Sequence, residues 1–370
     1  MSRPRVVVAG LGDTGCLVAM RLAKHADVVG ISVKPGLLSG QELGRRLARP
    51  EGWTRDYWLP FGQLRSLDGV RIVQGTLTSW DPVARTVTVL LPDGTEKPEP
   101  YDVLVISTGV TNGFWRRPTV QDVAEIDAEV RDAHQRIREA ASVVVVGGGS
   151  ASVSAAAQIQ DAFPDKQVDL FFPGEQLVPH HHPKVWADLR LRMEKLGVGL
   201  HPGHRAVLPD SIDEIGKGPV QWSTGQEPTP AGAVVYAVGR VTPNTGWLPA
   251  DVLDDGGFVV VDRELRVRGV EGVFAIGDVA ATDPQRSSAR NFAYRVLVPN
   301  IRAHVAGKEL KQYRLPRSRW GSIMGELRDG IVLYSPRGKP NKLPLVVNQR
   351  FVTPVFLRRV IYGGIRPRKQ

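Results

Sequence analysis

Arg5-Val6-Val7-Val8-Ala9 runs straight into Gly10-Leu11-Gly12-Asp13-Thr14-Gly15, and an Ala-, Leu- and Met-containing segment continues to about Lys24. A short continuous run of β-branched residues reads as a strand buried on both faces, the habit of a parallel sheet. The glycines then fall where a strand must turn into a helix. The first permits the tight turn, the second lets a diphosphate approach the backbone, and the third lets helix and strand pack closely. The helix N-terminus then faces the phosphates. Gly10, Gly12 and Gly15, with Asp13 and Thr14 between them, are therefore candidate cofactor-binding residues. A second strand is expected over Asp27 to Val33. It lacks the acidic residue that usually meets ribose hydroxyls about 20 residues on. Ser32 stands there, with Lys34 just beyond. Lys34 is then either a phosphate contact or a solvated loop lysine.

The opening pattern repeats. Ser142 to Val146 is a strand, Gly147-Gly148-Gly149 a turn, Ala151 to Ala162 a helix, and Gln167 to Phe172 the next strand. Gly147, Gly149 and Ser150 are the corresponding candidates, and Ser152 replaces the third glycine. The second strand ends Phe171-Phe172-Pro173 with neither an acid nor an arginine, so NADH and NADPH are not distinguished. Between the copies, 34–68 reads as a loop with a short helix, Val70 to Gln74 and Val83 to Leu91 as strands, and Tyr101 to Ile106 as a strand ending in Ser107-Thr108-Gly109. Residues 121–140, 183–196 and 289–306 read as helices. Strands at 198–200, 232–238 and 272–276 complete the pattern, the last ending in Gly277-Asp278. The fold class is α/β, with two Rossmann-like dinucleotide-binding domains, the second inserted in the first, plus a C-terminal extension. Residues 1–112 and 240–310 form the first domain, 113–239 the second, and 311–370 a basic C-terminal domain.

The 370 residues are enough for two or three domains. No apolar run reaches about 18 residues, so no transmembrane helix is expected. The first strand lies so near the initiator methionine that no signal peptide is expected either. The single cysteine, Cys16, excludes an intramolecular disulfide, a C-x-x-C redox pair and a cysteine-held iron–sulfur cluster. Redox chemistry would have to come from an organic cofactor. Net charge is +10, and residues 311–370 alone carry 14 Lys+Arg against 2 Asp+Glu. A basic end of this kind suits an anionic partner.

Taken together, the motifs resemble the two-dinucleotide-binding-domain flavoproteins. Within them the chain is most similar to the apoptosis-inducing-factor-like, ferroptosis-suppressor branch, near the type II NADH dehydrogenases. The likeness is carried by Val144 to Ala151, by Phe163 to Leu170, by Val103 to Gly109, by Tyr236 to Gly239, and by Val273-Phe274-Ala275-Ile276-Gly277-Asp278. It implies FAD in the first domain, with Thr108 and Gly109 at an inter-domain turn and Asp278 accepting a hydrogen bond from the ribityl chain. It implies NAD(P)H in the second domain, hydride transfer to FAD, and a quinone as acceptor. No catalytic side chain is implied, since the flavin carries the chemistry. Two positions depart from the family: Ser152 stands for its Gly, and Ser154 for the Glu that frames the nicotinamide.

Residues 343–362 alternate apolar clusters with Arg350, Arg358 and Arg359, followed by Gly363-Gly364 and a basic end at 366–369. Pro354 is expected to break any helix, leaving a short one around Val355–Tyr362. Such a segment (343–370) suits an anionic bilayer surface; a dimer contact or a cap on the first domain also fits. No nucleic acid is expected, because no reading motif accompanies the charge. The expected location is cytoplasmic, peripheral on the inner face of the membrane. Trp53, Trp58 and Phe61 are candidates for pocket lining or for plain packing. His180-His181-His182 reads as a loop rather than a metal site, because consecutive side chains cannot converge on one ion. Two alternatives remain open: a soluble reductase serving a small acidic electron-transfer protein, and an FAD-binding protein whose NAD(P) site has degenerated.

Overall fold

The computed structural model describes the chain except for residues 1–2, 40–41, 114, 213, 240, 284–291, 317–319 and 368–370, and the side chains of 353, 354, 356 and 357. Its helices are α1 (Asp13–Leu22), α2 (Leu43–Ala48), α3 (Pro50–Tyr57), α4 (Val123–Glu139), α5 (Ser150–Ala162), α6 (Pro183–Leu196) and α7 (Tyr294–Val305), with a further helical segment at the C-terminus. Two parallel sheets organise them. In the first, the strand Arg5–Ala9 lies between Asp27–Ser32 and Val103–Ile106, flanked by Val70–Gln74 and Val273–Ala275. In the second, Ser142–Val146 lies between Gln167–Phe171 and Ala233–Tyr236, with Gly199–His201 outermost.

In chain order the first four strands of each sheet are arranged third, second, first, fourth. The same winding occurs twice, with every strand of the second sheet falling in the chain before the last strand of the first. Both central strands are buried because helices or covering strands occupy both faces: Val6, Val7 and Val8 are fully buried, as are Val143 and Val145.

The chain passes between the two sheets twice. Val110–Thr111 and Thr242–Pro243 pair antiparallel at that point. Asn244 pins the crossing: Thr108 Oγ1 donates to its carbonyl at 2.8 Å, its Nδ2 donates to Thr108 O at 3.0 Å, and Thr111 Oγ1 donates to its Oδ1 at 2.8 Å.

The segment 34–68 is more ordered than its composition suggests. It holds α2 and α3, a strand pair of Gly36–Leu38 with Trp58–Pro60, and two short 3-10 turns. Trp53, Trp58 and Phe61 are buried packing residues here and do not line the cleft described below. Tertiary contact overrides weak local propensity. Gly44 of α2 crosses α5 so closely that a Cβ would lie 2.0 Å from Ser154 O. Strand signals were also incomplete around residue 83. Val83 lies in a turn, 93% exposed, and the strands of that region are Thr76–Asp81, Thr86–Leu90 and Glu96–Pro100. The helix expected from 289 starts at Tyr294, and 289–291 lie outside the described residues.

The last sixty residues pack on both units. Ile323, Met324, Leu327, Val332 and Tyr334 join the core of the second unit, and the Tyr334 hydroxyl donates to Asp188 of α6 at 2.7 Å. Tyr362 joins the core of the first unit. The C-terminal segment is helical without interruption from Leu345 to Ile361, π-wound from Asn348 onward. The expected break at Pro354 does not occur. Proline has no N–H to offer an α or a π ladder, so the π-wound helix runs through Pro354 with one ladder bond missing.

Candidate functional site

Three turns distant in sequence converge on one cleft of about 520 Å³. Its walls include Gly10, Gly12, Asp13, Thr14, Lys34, Thr108, Gly109, Gly277 and Asp278. A pocket of this size lies in the range that small-molecule cofactors occupy. Each glycine of the first turn is needed for a different reason. Gly10 has φ +107°, and a Cβ there would lie 2.5 Å from Ser107 O. A Cβ on Gly15 would lie 1.9 Å from Gly10 O, so this glycine lets α1 close on the turn and lies behind the cleft. A Cβ on Gly12 would meet nothing within 4 Å. That open face lies at the N-terminus of α1, where unpaired amides accept an anion.

The cations of the cleft are partly engaged by the protein. Arg116 Nη2 donates to Asp278 Oδ2 at 3.0 Å; Asp278 is buried and the arginine half-buried. Lys34 donates through Nζ to Thr119 O at 2.6 Å, to Thr119 Oγ1 at 3.2 Å and to Gln121 Oε1. It is not a solvated loop lysine. Burial pulls its pKa down to about 8, against the opposing charge of Glu129. Asp13 accepts a hydrogen bond from Ser39 Oγ at 2.8 Å. Cys16 is buried, its thiol donating to Leu11 O at 3.1 Å, and burial followed by the charge of Asp13 holds its pKa well above the usual range. It is a packing residue.

Gly147, Gly149 and Ser150 lie apart from this cleft, at the N-terminus of α5. The turn repeats the first one's construction. Gly147 has φ +140°, and a Cβ there would lie 2.2 Å from Ala237 O. Gly149 faces open space. Ser152 is accommodated at the third position by donating Oγ to Gly149 O at 2.8 Å. Ser154 is buried, its hydroxyl without a hydrogen-bond partner among the described residues, and its carbonyl takes the close crossing with Gly44. The loop after Gln167–Phe171 folds over the turn, Val178 N donating to Gly148 O at 2.7 Å. Val178 has φ +47°, strained for a β-branched residue. His182 is a helix cap: its Nδ1 accepts from Lys184 N at 3.2 Å.

Sequence reasoning overlooked Arg116, Trp115 and Asn244. Two consecutive arginines, starting seven residues after the Thr108-Gly109 turn, were the available signal for the first. Asn244 had none, because its role depends on two chain passages meeting.

The residues present fit a dinucleotide in the first cleft: bare amides at a helix N-terminus, an open glycine, and cations nearby. A model of the pyridine nucleotide-disulphide oxidoreductase family matches residues 4–295, and the chain belongs to that family. Relatives include the oxidoreductase ptaL of Pestalotiopsis fici, 28% identical over 264 residues, 68% of this chain and 66% of that protein. Ferroptosis suppressor protein 1 of Xenopus tropicalis is 28% identical over 233 residues, 58% of this chain and 59% of its own length. The chain thus spans about two thirds or less of these curated relatives. Among solved structures, the ferredoxin reductase of the CYP199A2 system from Rhodopseudomonas palustris shares the fold, with a TM-score of 0.65 at 20% identity, covering 90% of this chain and 88% of that one. The chain therefore has the Rossmann-type fold of a pyridine nucleotide oxidoreductase family.

Proposed function

We propose that the protein passes hydride from NAD(P)H, through FAD in the first cleft, to a quinone at an anionic membrane surface. The supporting observation for the cleft is the convergence of Gly10–Thr14, Thr108-Gly109 and Gly277-Asp278 on one volume. Residues 1–112 and 240–310 are assigned to FAD, 113–239 to NAD(P)H, and 311–370 to the acceptor side. FAD, when bound, accepts two electrons as hydride and releases them to an acceptor. The protein's part is to hold and orient. Gly12 and the α1 amides receive the diphosphate. Arg116, already paired with Asp278, would offset part of its charge, Asp278 would also accept from the ribityl chain, and Lys34 lines the same cleft. Gly147, Gly149 and Ser150 offer the equivalent cradle for NAD(P)H.

The acceptor side rests on the C-terminal helix. Val347, Phe351, Val355 and Val360 are 38–63% exposed. Their spacing of four to five residues matches π winding, so they form one apolar stripe, beside exposed Arg350 and Arg359. An apolar stripe edged by arginines suits an anionic lipid surface. Arg358 and Arg366 are not available for this, being paired with Asp56 and Asp68. Among the described residues no helix is long and apolar enough to cross a membrane.

The test is sedimentation with vesicles containing a short-chain quinone, with NAD(P)H oxidation as the readout. Faster turnover on anionic than on neutral vesicles is expected. Turnover only with a small acidic redox protein would favour the soluble-reductase reading instead. A protein that holds FAD but never oxidises NAD(P)H would favour a degenerate second site.

A further inference from the structure

The passage that leaves the first unit for the second does more than connect them. From Trp115 to Gln121 the chain is neither helix nor strand, and Trp115, Arg116, Arg117 and Pro118 form one wall of the first cleft. Both ends of this segment are tied to other walls of the same cleft. Arg116 Nη2 donates to Asp278 Oδ2 at 3.0 Å. Five residues on, Gln121 N donates to Val33 O at 3.2 Å, just past the Asp27–Ser32 strand. Gln74 Nε2 donates to Gln121 O at 2.8 Å and to Val33 O at 3.3 Å, fixing the same joint from the neighbouring strand.

Lys34 is spent on this segment. Its ammonium has three N–H groups, and it donates to Thr119 O at 2.6 Å, to Thr119 Oγ1 at 3.2 Å and to Gln121 Oε1. No donor is left over for a phosphate, although the side chain lines the cleft. The fastening continues behind it. Gln121 Nε2 donates to Glu129 Oε2 at 2.9 Å, Glu129 Oε1 accepts from buried Arg46 at 2.8 Å, and Arg46 Nη1 donates to Trp115 O at 3.2 Å. Trp115 is anchored in the core of the second unit. Residues 116–121, by contrast, enter none of the hydrophobic clusters among the described residues, and Val120 is 36% exposed. A segment held by polar contacts alone, with few buried apolar ones, belongs to the parts of a fold that open most readily.

We infer that residues 116–121 are a clasp on the first cleft, hinged at Trp115 and locked by Lys34, and that the clasp must release Lys34 before the dinucleotide enters or leaves. This rests on the reading of the cleft as the FAD site. A cofactor reaching from the Gly12 amides to Asp278 and to the end of the Asp27–Ser32 strand lies along the clasp. Lys34 is then a positioning residue, holding the wall that carries Arg116 rather than binding the cofactor itself. Opening also has a proton linkage. The charges acting on Lys34 are Glu125 and Glu129 of α4, Arg46 of α2 and Arg117 of the clasp; Asp13, Arg116 and Asp278 share its cleft. Closed, its pKa is about 8 because of burial, and release to water returns it toward 10.5. Opening therefore takes up a proton between those values, and rising pH favours the closed form.

The test is the rate of FAD binding to apoprotein and of FAD release from the loaded protein, both followed by flavin fluorescence. The informative variant is Gln121→Leu, because Gln121 holds Lys34 and Glu129 but does not line the cleft. Loss of a lock acts on the open–closed equilibrium with and without cofactor. Association and dissociation should therefore both speed up, by about 10-fold or more for one charged hydrogen bond, with FAD affinity little changed. Lys34→Met should do the same, and the double variant should add little to either, as expected of two ends of one contact. Gln74→Leu, which loosens the joint from outside the cleft, should speed both rates in the same direction. In the wild type both rates should be slower at pH 9 than at pH 7, and in Lys34→Met they should not be. If Lys34→Met speeds release alone while Gln121→Leu changes nothing, Lys34 is a cofactor ligand and the clasp is refuted. Unchanged rates in all three single variants would also refute it. A wild type that binds no FAD would instead sink the reading of the cleft, and this inference with it.

Discussion

Gly12 and Gly15 belong to one motif, but the structure separates what they do. A Cβ on Gly12 would meet no atom within 4 Å, and its φ of −77° is ordinary for alanine. Gly12→Ala should therefore leave the apoprotein as stable as before, or slightly more so, by up to about 1 kcal/mol from the lost freedom of the unfolded chain. The added methyl projects where the diphosphate approaches the amides. Losing one charge-assisted hydrogen bond costs about 1.5–3 kcal/mol, or roughly a 10- to 150-fold weaker FAD affinity. Gly15→Ala should do the reverse. Its Cβ would lie 1.9 Å from Gly10 O, a backbone atom, so α1 must shift and the apoprotein should lose about 1–3 kcal/mol, the usual cost of overpacking. Urea denaturation of both apoproteins, with fluorescence titration of FAD, reads the two effects separately. A Gly12→Ala protein with wild-type FAD affinity, or one whose apoprotein is destabilised, would refute the division of roles.

Lys34, lowered by burial to about 8 from 10.5, binds fewer protons folded than unfolded between those values. Apoprotein stability should then rise with pH from about 8 to 10, and Lys34→Met should lose that rise in urea melts. Burial pushes the Asp56 carboxyl up, but hydrogen bonds from Arg55 and Arg358 and the charge of Arg45 outweigh it and hold its pKa below the usual value. Its contribution to stability is thus present above pH 4 and lost as the pH falls through the lowered value. Asp56→Asn should cost about 3–5 kcal/mol, as for breaking a buried pair, measured by thermal melts. Arg116→Ala should weaken FAD binding about 10-fold or more through loss of a charged hydrogen bond. Phe351→Asp with Val355→Asp should abolish sedimentation with anionic vesicles while FAD binding stays unchanged.

The duplicated winding could be read in the sequence because each copy opens with a buried valine strand and a glycine turn, signals that need no partner elsewhere in the chain. The candidate cleft was legible for the same reason at Gly10–Gly15, Thr108-Gly109 and Gly277-Asp278. What stayed hidden depends on distant contacts. The helices of 43–57 are held by packing against α4 and α5 rather than by periodicity. Asn244 acts only where two crossings meet. Tyr362 joins the core of the first unit from the other end of the chain, and no local pattern announces that. The C-terminal helix escaped because Pro354 signals a break, yet the chain carries the helix through it in π winding.

The most direct test of the central claim is an anaerobic titration of the FAD-loaded protein with NADH and then NADPH, following the flavin absorbance band. Bleaching within seconds by one or both nucleotides, in proportion to the nucleotide added, is the predicted result. A protein that stays yellow with both would contradict hydride transfer between the two sites.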